Sequence, residues 1–97
     1  MDHSIKNGVL TIFLKGKINS SNSEETEQDI DEILGSNSFQ SIVFDLDELQ
    51  YISSAGLRIL LRIKQEHSDT KLVNVSPAIY EIFEMVGFAK FLTIEKK

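Results

Sequence analysis

The residues of this 97-residue chain best placed to do chemistry are two adjacent serines, Ser53 and Ser54, within Tyr51-Ile52-Ser53-Ser54-Ala55-Gly56-Leu57. They follow a β-rich apolar run, Ile42-Val43-Phe44-Asp45-Leu46, and a short acidic stretch, Asp47-Glu48-Leu49-Gln50. A serine before a helical pattern has two roles open to it. It caps the helix by accepting a backbone N–H, or it offers an exposed hydroxyl for phosphorylation, which adds about −1.5 to −2 charges near neutral pH. Helix logic alone does not choose between the two serines. Asp45, Asp47 and Glu48 precede this helix entrance, so a phosphate there is expected to add to an already negative surface. Gly56 is a second signal, because glycine in a first helical turn costs up to about 1 kcal/mol relative to alanine. Either Ala55 and Gly56 allow close packing inside the protein, or a partner or kinase active site approaches the backbone there.

Other chemistries find little support. His3 and His67 have no metal-ligand spacing, and neither a phosphate-binding loop nor a Gly-x-Ser-x-Gly elbow is present, since Ile52 stands where the first glycine would be. The absence of cysteine removes disulfides, thiolate zinc sites and thiol nucleophiles together. Glu24, Glu25, Glu27, Asp29, Asp31 and Glu32 read as the solvated face of a helix. The expectation is a binding protein, not an enzyme, with no metal and no cofactor.

The charge balance narrows the partner. Net charge is −5 and the pI is near 4.9, which lacks the positive footprint of a nucleic-acid binder. The acidity is concentrated: residues 18–57 carry nine acids and no Lys or Arg, whereas the flanking segments are slightly basic. That block is either a solvated helix or an acidic face that selects a partner. No apolar run approaches the roughly 18 residues of a membrane span, and residues 1–8 lack the basic and apolar regions of a secretory signal. A cytoplasmic protein is expected.

The elements that must position the serines follow from periodicity. Val9 to Leu14 reads as a buried strand ending at Gly16, with Ser4-Ile5-Lys6 as its hairpin partner across Asn7-Gly8. Ser20 to Ser23 offer N-caps for a helix whose stripe is Thr26, Ile30, Ile33 and Leu34, and which stops at Gly35. Ile42 to Leu46 forms the next strand, and Asp47 to Gln50 the loop after it. The helix over Leu57, Leu60, Leu61, Ile59 and Ile63 has a broad apolar arc opposite an edge formed by Arg58 and Arg62. Ile59 and Ile63 lie at its margin, either packed under a neighbour or part of a partner surface. Lys71 to Val75 is a strand, Ser76-Pro77 starts a helix with the stripe Ala78, Ile79, Ile82, Phe83 and Val86 before Gly87, and Phe91 to Ile94 is a last strand before a charged tail. Alternation of strands and helices implies one α/β domain over residues 1–97. Its sheet is mixed and mostly parallel, with an antiparallel N-terminal edge and at least three helices. The strand ends gather Gly16 to Ser20, Asp45 to Ser54 and Asn74 to Ser76 on one rim.

These residues resemble the STAS domain family, specifically its single-domain bacterial anti-sigma factor antagonists. The resemblance rests on Asp45-Leu46 followed by Tyr51 to Arg58, on Gly16-Lys17-Ile18-Asn19, and on the element order across nearly the whole chain. It implies a STAS-type fold and a regulatory binding protein whose partner is an anti-sigma factor with serine kinase activity. It also implies a serine phosphatase that reverses the modification. By the resemblance Ser54 is the phosphorylated residue, with Ser53 as the alternative. Asn19, Ser20, Asp45, Asp47, Ser53, Ala55, Gly56, Arg58 and Ile59 would then line the partner-binding surface. Asn19 and Ser53 depart from the family pattern, in which aspartate is usual at the first position and frequent at the second. STAS domains also serve as accessory subunits of lipid-transport or signalling assemblies, which is the alternative role.

Overall fold

The computed structural model describes all residues, Met1–Lys97. Strands β1 (His3–Lys6) and β2 (Val9–Ile18) form a hairpin through Asn7 and Gly8, whose φ angles of 54° and 80° meet the requirement of a tight hairpin turn for positive φ. Helix α1 (Ser23–Ser36), strand β3 (Ser41–Ile52), helix α2 (Ser54–Glu66), strand β4 (Thr70–Val75), helix α3 (Pro77–Met85), a 3-10 turn (Ala89–Phe91) and strand β5 (Ile94–Lys96) complete the chain. The sheet order is β1-β2-β3-β4-β5, antiparallel at β1 and parallel elsewhere. Right-handed crossovers that always step in one direction place every helix on the same sheet face. Accordingly Leu10, Ile12, Leu14, Ile42, Phe44, Leu46 and Leu72 join Ile30, Leu57, Leu60, Ile63, Ile79 and Phe83 in one core. On the opposite face Val9, Thr11, Phe13, Val43 and Val73 are only half-buried.

Several boundaries differ from the sequence reading. Strand β2 does not end at Gly16. That residue adopts φ 69°, the ladder shifts register on either side of it, and pairing resumes through Lys17↔Tyr51 and Ile18↔Ile52. Strand β3 likewise absorbs the supposed acidic loop Asp47 to Gln50. Its two extra residues relative to β2 are bulges, so inward positions come at Leu46, Leu49 and Ile52, three apart, which hides the strand from a search for strict alternation.

Helix α1 starts inside the expected Ser20 to Ser23 range but does not end at Gly35. Asn22 is the cap position, and the helix runs to Ser36, where the Asn37 amide donates to the Ile33 carbonyl at 2.8 Å. Gly35 is an exposed helical residue, and a methyl group placed on it would meet nothing within 4 Å. Gly35→Ala is therefore expected to stabilise the protein by about 0.5–1 kcal/mol, read as a higher urea midpoint at unchanged slope.

At the C-terminal end, Gly87 (φ 76°) closes α3 while Phe88 N–H donates to the Phe83 carbonyl at 3.0 Å. The chain then needs the 3-10 turn to return to the sheet, so the last strand starts three residues later than expected and includes Glu95 and Lys96. Phe91, expected in that strand, is 55% exposed, and Ala78 and Val86 of the expected α3 stripe also face solvent.

Candidate functional site at the start of the second helix

Parallel crossovers bring the N-termini of α1 and α2 to one rim. The join is made by the backbone, because Ser53 N–H donates to the Ile18 carbonyl at 2.8 Å and locks the end of β3 to the end of β2. The loop after Ile18 is shaped by Asn19. Its Oδ1 accepts from Ser21 N–H at 3.0 Å, Ser21 Oγ at 2.6 Å and Asn22 N–H at 3.2 Å, and its own N–H donates to Asn22 Oδ1 at 2.8 Å. Ser20 is exposed in the same turn.

The two serines have different environments. Ser53 is half-buried with extended backbone, and its Oγ caps α2 by accepting from Gly56 N–H at 3.3 Å. Ser54 is the first residue of α2, is exposed, and its hydroxyl has no hydrogen-bond partner within the protein. The N–H groups of a first helical turn carry partial positive charge, so an anion at Ser54 is favoured by about 0.3–1 kcal/mol. Asn19 and Ser53 both act through an acceptor oxygen. Both bond sets are made without a negative charge at either position.

Gly56 is buried, and a methyl group there would lie 2.7 Å from Ile52 Cγ1 and 2.8 Å from Ile18 Cγ2. The close approach that the sequence left open between packing and partner is thus already made inside the protein. Ile59 and Ile63 are also core residues, 6% and 0% exposed, so Ile59 offers a partner only an edge.

Between α1 and α2 lies a groove of about 420 Å³, lined by Ser23, Glu24 and Glu27 on one side and Ala55, Arg58 and Arg62 on the other, with Ile59 at its floor. The two arginines differ sharply. Arg62 donates to Glu27 at 2.9 Å, Asp31 at 2.8 Å and Glu66 at 2.8 Å, tying α2 to α1. Its hydrogen bond to Asp31, opposed by partial burial and reinforced by Glu66 and Glu27, holds the guanidinium above the usual arginine range. Arg58 is exposed and forms no ion pair.

The acids of β3 lie elsewhere. Asp45 accepts from the Asn74 amide at 3.1 Å and from Asp47 N–H at 2.9 Å, Asp47 pairs with Lys97 at 2.9 Å, and Glu48 lies 3.6 Å from Lys15. Asp45 precedes Ile52 by seven positions in a bulged strand, which at about 3.3 Å per residue is on the order of 15–20 Å. Residues 47–50 belong to the extended strand β3 and not to a compact loop, so Asp45 is set well back from Ser54, while Asp47 and Glu48 lie beside Lys97 and Lys15. The carboxylates that share a groove with the first turns of α2 are Glu24 and Glu27 of α1, which sequence reasoning did not assign to the site. The signal that would have found them is topological, since a parallel sheet places the starts of successive helices on one rim.

The family model of the STAS domain matches residues 1–97. The chain belongs to the STAS domain family. Among its relatives is BtrV of Bordetella bronchiseptica, provisionally named an anti-sigma factor antagonist, 33% identical over 91 residues covering 90% of this chain and 78% of that protein. The anti-sigma F factor antagonist of Paenibacillus polymyxa is 28% identical over 91 residues, with the same coverage of 90% and 78%. Unphosphorylated SpoIIAA, an anti-sigma factor antagonist, superposes with a TM-score of 0.74 at 18% identity, covering 96% of this chain and 85% of that one. SpoIIAA of Bacillus in its phosphorylated form gives 0.67 at 18% identity, covering 96% and 88%. This STAS chain thus groups with the anti-sigma factor antagonists, and its mixed five-stranded sheet with three helices on one face is their fold.

Proposed function

We propose that this STAS protein is a phosphorylation-switched anti-sigma factor antagonist of the cytoplasm. Unmodified, it binds an anti-sigma factor that is also a serine kinase, and sigma factor is released. The kinase then transfers the γ-phosphoryl group of ATP to Ser54: the Oγ–P bond forms, the bridging β–γ P–O bond breaks, and ADP and the hydroxyl proton leave. A serine phosphatase restores the binding form. Asn19, Ser20, Ser53, Ala55 and Arg58 surround the modified residue on the binding surface, while Asp45 and Asp47 mark a second, more distant contact.

The observation that carries this reading is the division of labour between the serines. Ser53 Oγ is occupied as the cap of α2, whereas the exposed Ser54 hydroxyl is free. The names of the relatives and the solved phosphorylated form of SpoIIAA support it from outside.

The test is incubation with the anti-sigma factor kinase of the same cell and ATP, followed by intact-mass measurement of wild-type, Ser53→Ala and Ser54→Ala protein. One added phosphate in wild-type and Ser53→Ala, and none in Ser54→Ala, is the expected result. A stable complex with no mass gain in any of them defeats the switch and favours an accessory-subunit role.

A further inference from the structure

Resting on that reading of Ser54, the surroundings of the serine point to how its phosphate acts. On an α-helix, residues i and i+4 are neighbours on one face, and an anion N-terminal to a cation is the favoured order. Ser54 and Arg58 stand in that relation in the first turns of α2. The guanidinium is uncommitted: Arg62, one turn on, holds three carboxylates, whereas Arg58 pairs with none, although Glu24 lines the same groove. Its one competitor on this rim is Glu24, across the groove. Asn19 and Ser53 are neutral, and their side-chain oxygens already accept from neighbouring backbone N–H groups. Glu27 is held by Arg62, which leaves Glu24 as the one unpaired carboxylate across the groove.

We propose that Arg58 is the internal receptor for the phosphate on Ser54, and that in the unmodified protein the same guanidinium anchors a carboxylate of the anti-sigma factor. Phosphorylation then disrupts binding by withdrawing the anchor as well as by adding repulsion. The guanidinium fork suits two phosphate oxygens at once. Because the phosphate is carried on the same helix, it acts at a millimolar-scale effective concentration that a carboxylate arriving from solution does not match.

The experiment uses protein carrying phosphoserine at position 54 by directed incorporation, in wild-type, Arg58→Gln and Arg58→Lys forms. Arg58 is exposed, so all three are expected to fold alike, and thermal melting verifies it. Phosphorus NMR titration reads the second phosphate pKa, ordinarily about 6. It is expected to lie about half a unit or more lower in wild-type protein than in Arg58→Gln, and in between for Arg58→Lys. Glu24, Glu27 and Arg62, the charged groups facing the site, are the same in all three proteins.

With the anti-sigma factor as ligand, Arg58→Gln is expected to weaken binding of unmodified protein about tenfold or more, and to shrink the penalty of phosphorylation several-fold, a coupling that a double-mutant cycle isolates. Equal phosphate pKa values in wild-type and Arg58→Gln protein overturn internal capture, and unchanged affinity of unmodified Arg58→Gln overturns the anchor. Should phosphoserine at position 54 leave wild-type affinity intact, the switch reading fails, while the titration still judges Arg58 separately.

Discussion

Ser54→Asp is expected to bind the anti-sigma factor at least tenfold more weakly than wild-type protein while melting at the same temperature or slightly higher. The two halves of that result have separate causes. For stability, Ser54 is exposed at the first position of α2, makes no hydrogen bond, and faces the positive end of the helix, where a carboxylate contributes about 0.3–1 kcal/mol. For binding, a docked partner must desolvate the new charge next to a groove that already holds Glu24, and it meets an Arg58 that the new charge partly occupies. Each loss of about 1.4 kcal/mol in this way is a factor of ten in affinity. Aspartate carries one charge where phosphate carries nearly two, so full phosphorylation is expected to cost more than the substitution. Calorimetric titration alongside thermal melting measures both halves on the same samples. Unchanged affinity, or a loss of affinity that merely tracks unfolding, is the result that removes Ser54 from the mechanism.

Gly56→Val is expected to be the most damaging single change at the site, destabilising the fold by about 3 kcal/mol and lowering the melting temperature of a domain this size by about 12–24 °C. The first carbon of any side chain at Gly56 would sit 2.7 Å from Ile52 Cγ1 and 2.8 Å from Ile18 Cγ2. Both neighbours are β-branched and buried, so neither swings aside without disturbing the ends of β2 and β3 that position Ser53. Gly56→Ala meets the same contacts, but it regains about 1 kcal/mol of helix propensity and should cost correspondingly less. A urea series on glycine, alanine and valine at position 56 tests the ranking. Equal stability of all three would show that the start of α2 has room to move.

The strengths and gaps of sequence reasoning divide along physical lines. Strand and helix types were legible because Val9 to Leu14, Ile42 to Leu46 and the arc from Leu57 to Ile63 each bury one face, and burial writes its period into the residues. Boundaries were missed where the backbone departs from that period: at the bulges that carry β2 past Gly16 and β3 through Asp47 to Gln50, and at the 3-10 turn that delays β5. Gly35 was mistaken for a helix stop because glycine is used for positive φ and tolerated without it, and composition does not separate the two. Periodicity also left open whether Ile59 packs inward; the overlying contacts bury it.

From the residues alone came a cysteine-free acidic α/β domain, its order of elements, its resemblance to the STAS antagonists, and a serine pair at a helix start. All of these depend on local pattern, which neighbours in the chain determine. Helix logic left the two serines equivalent, and tertiary structure gave the physical reason to separate them, since capping depends on which hydroxyl faces Gly56 N–H. It also moved the relevant acidity from β3 to α1, since a parallel sheet brings together residues about thirty positions apart and draws out to about 15–20 Å residues only seven apart. The contrast on which the proposed phosphate capture rests, Arg62 consumed by three carboxylates and Arg58 left free one turn earlier, is invisible in a sequence where both are simply arginines on one helix.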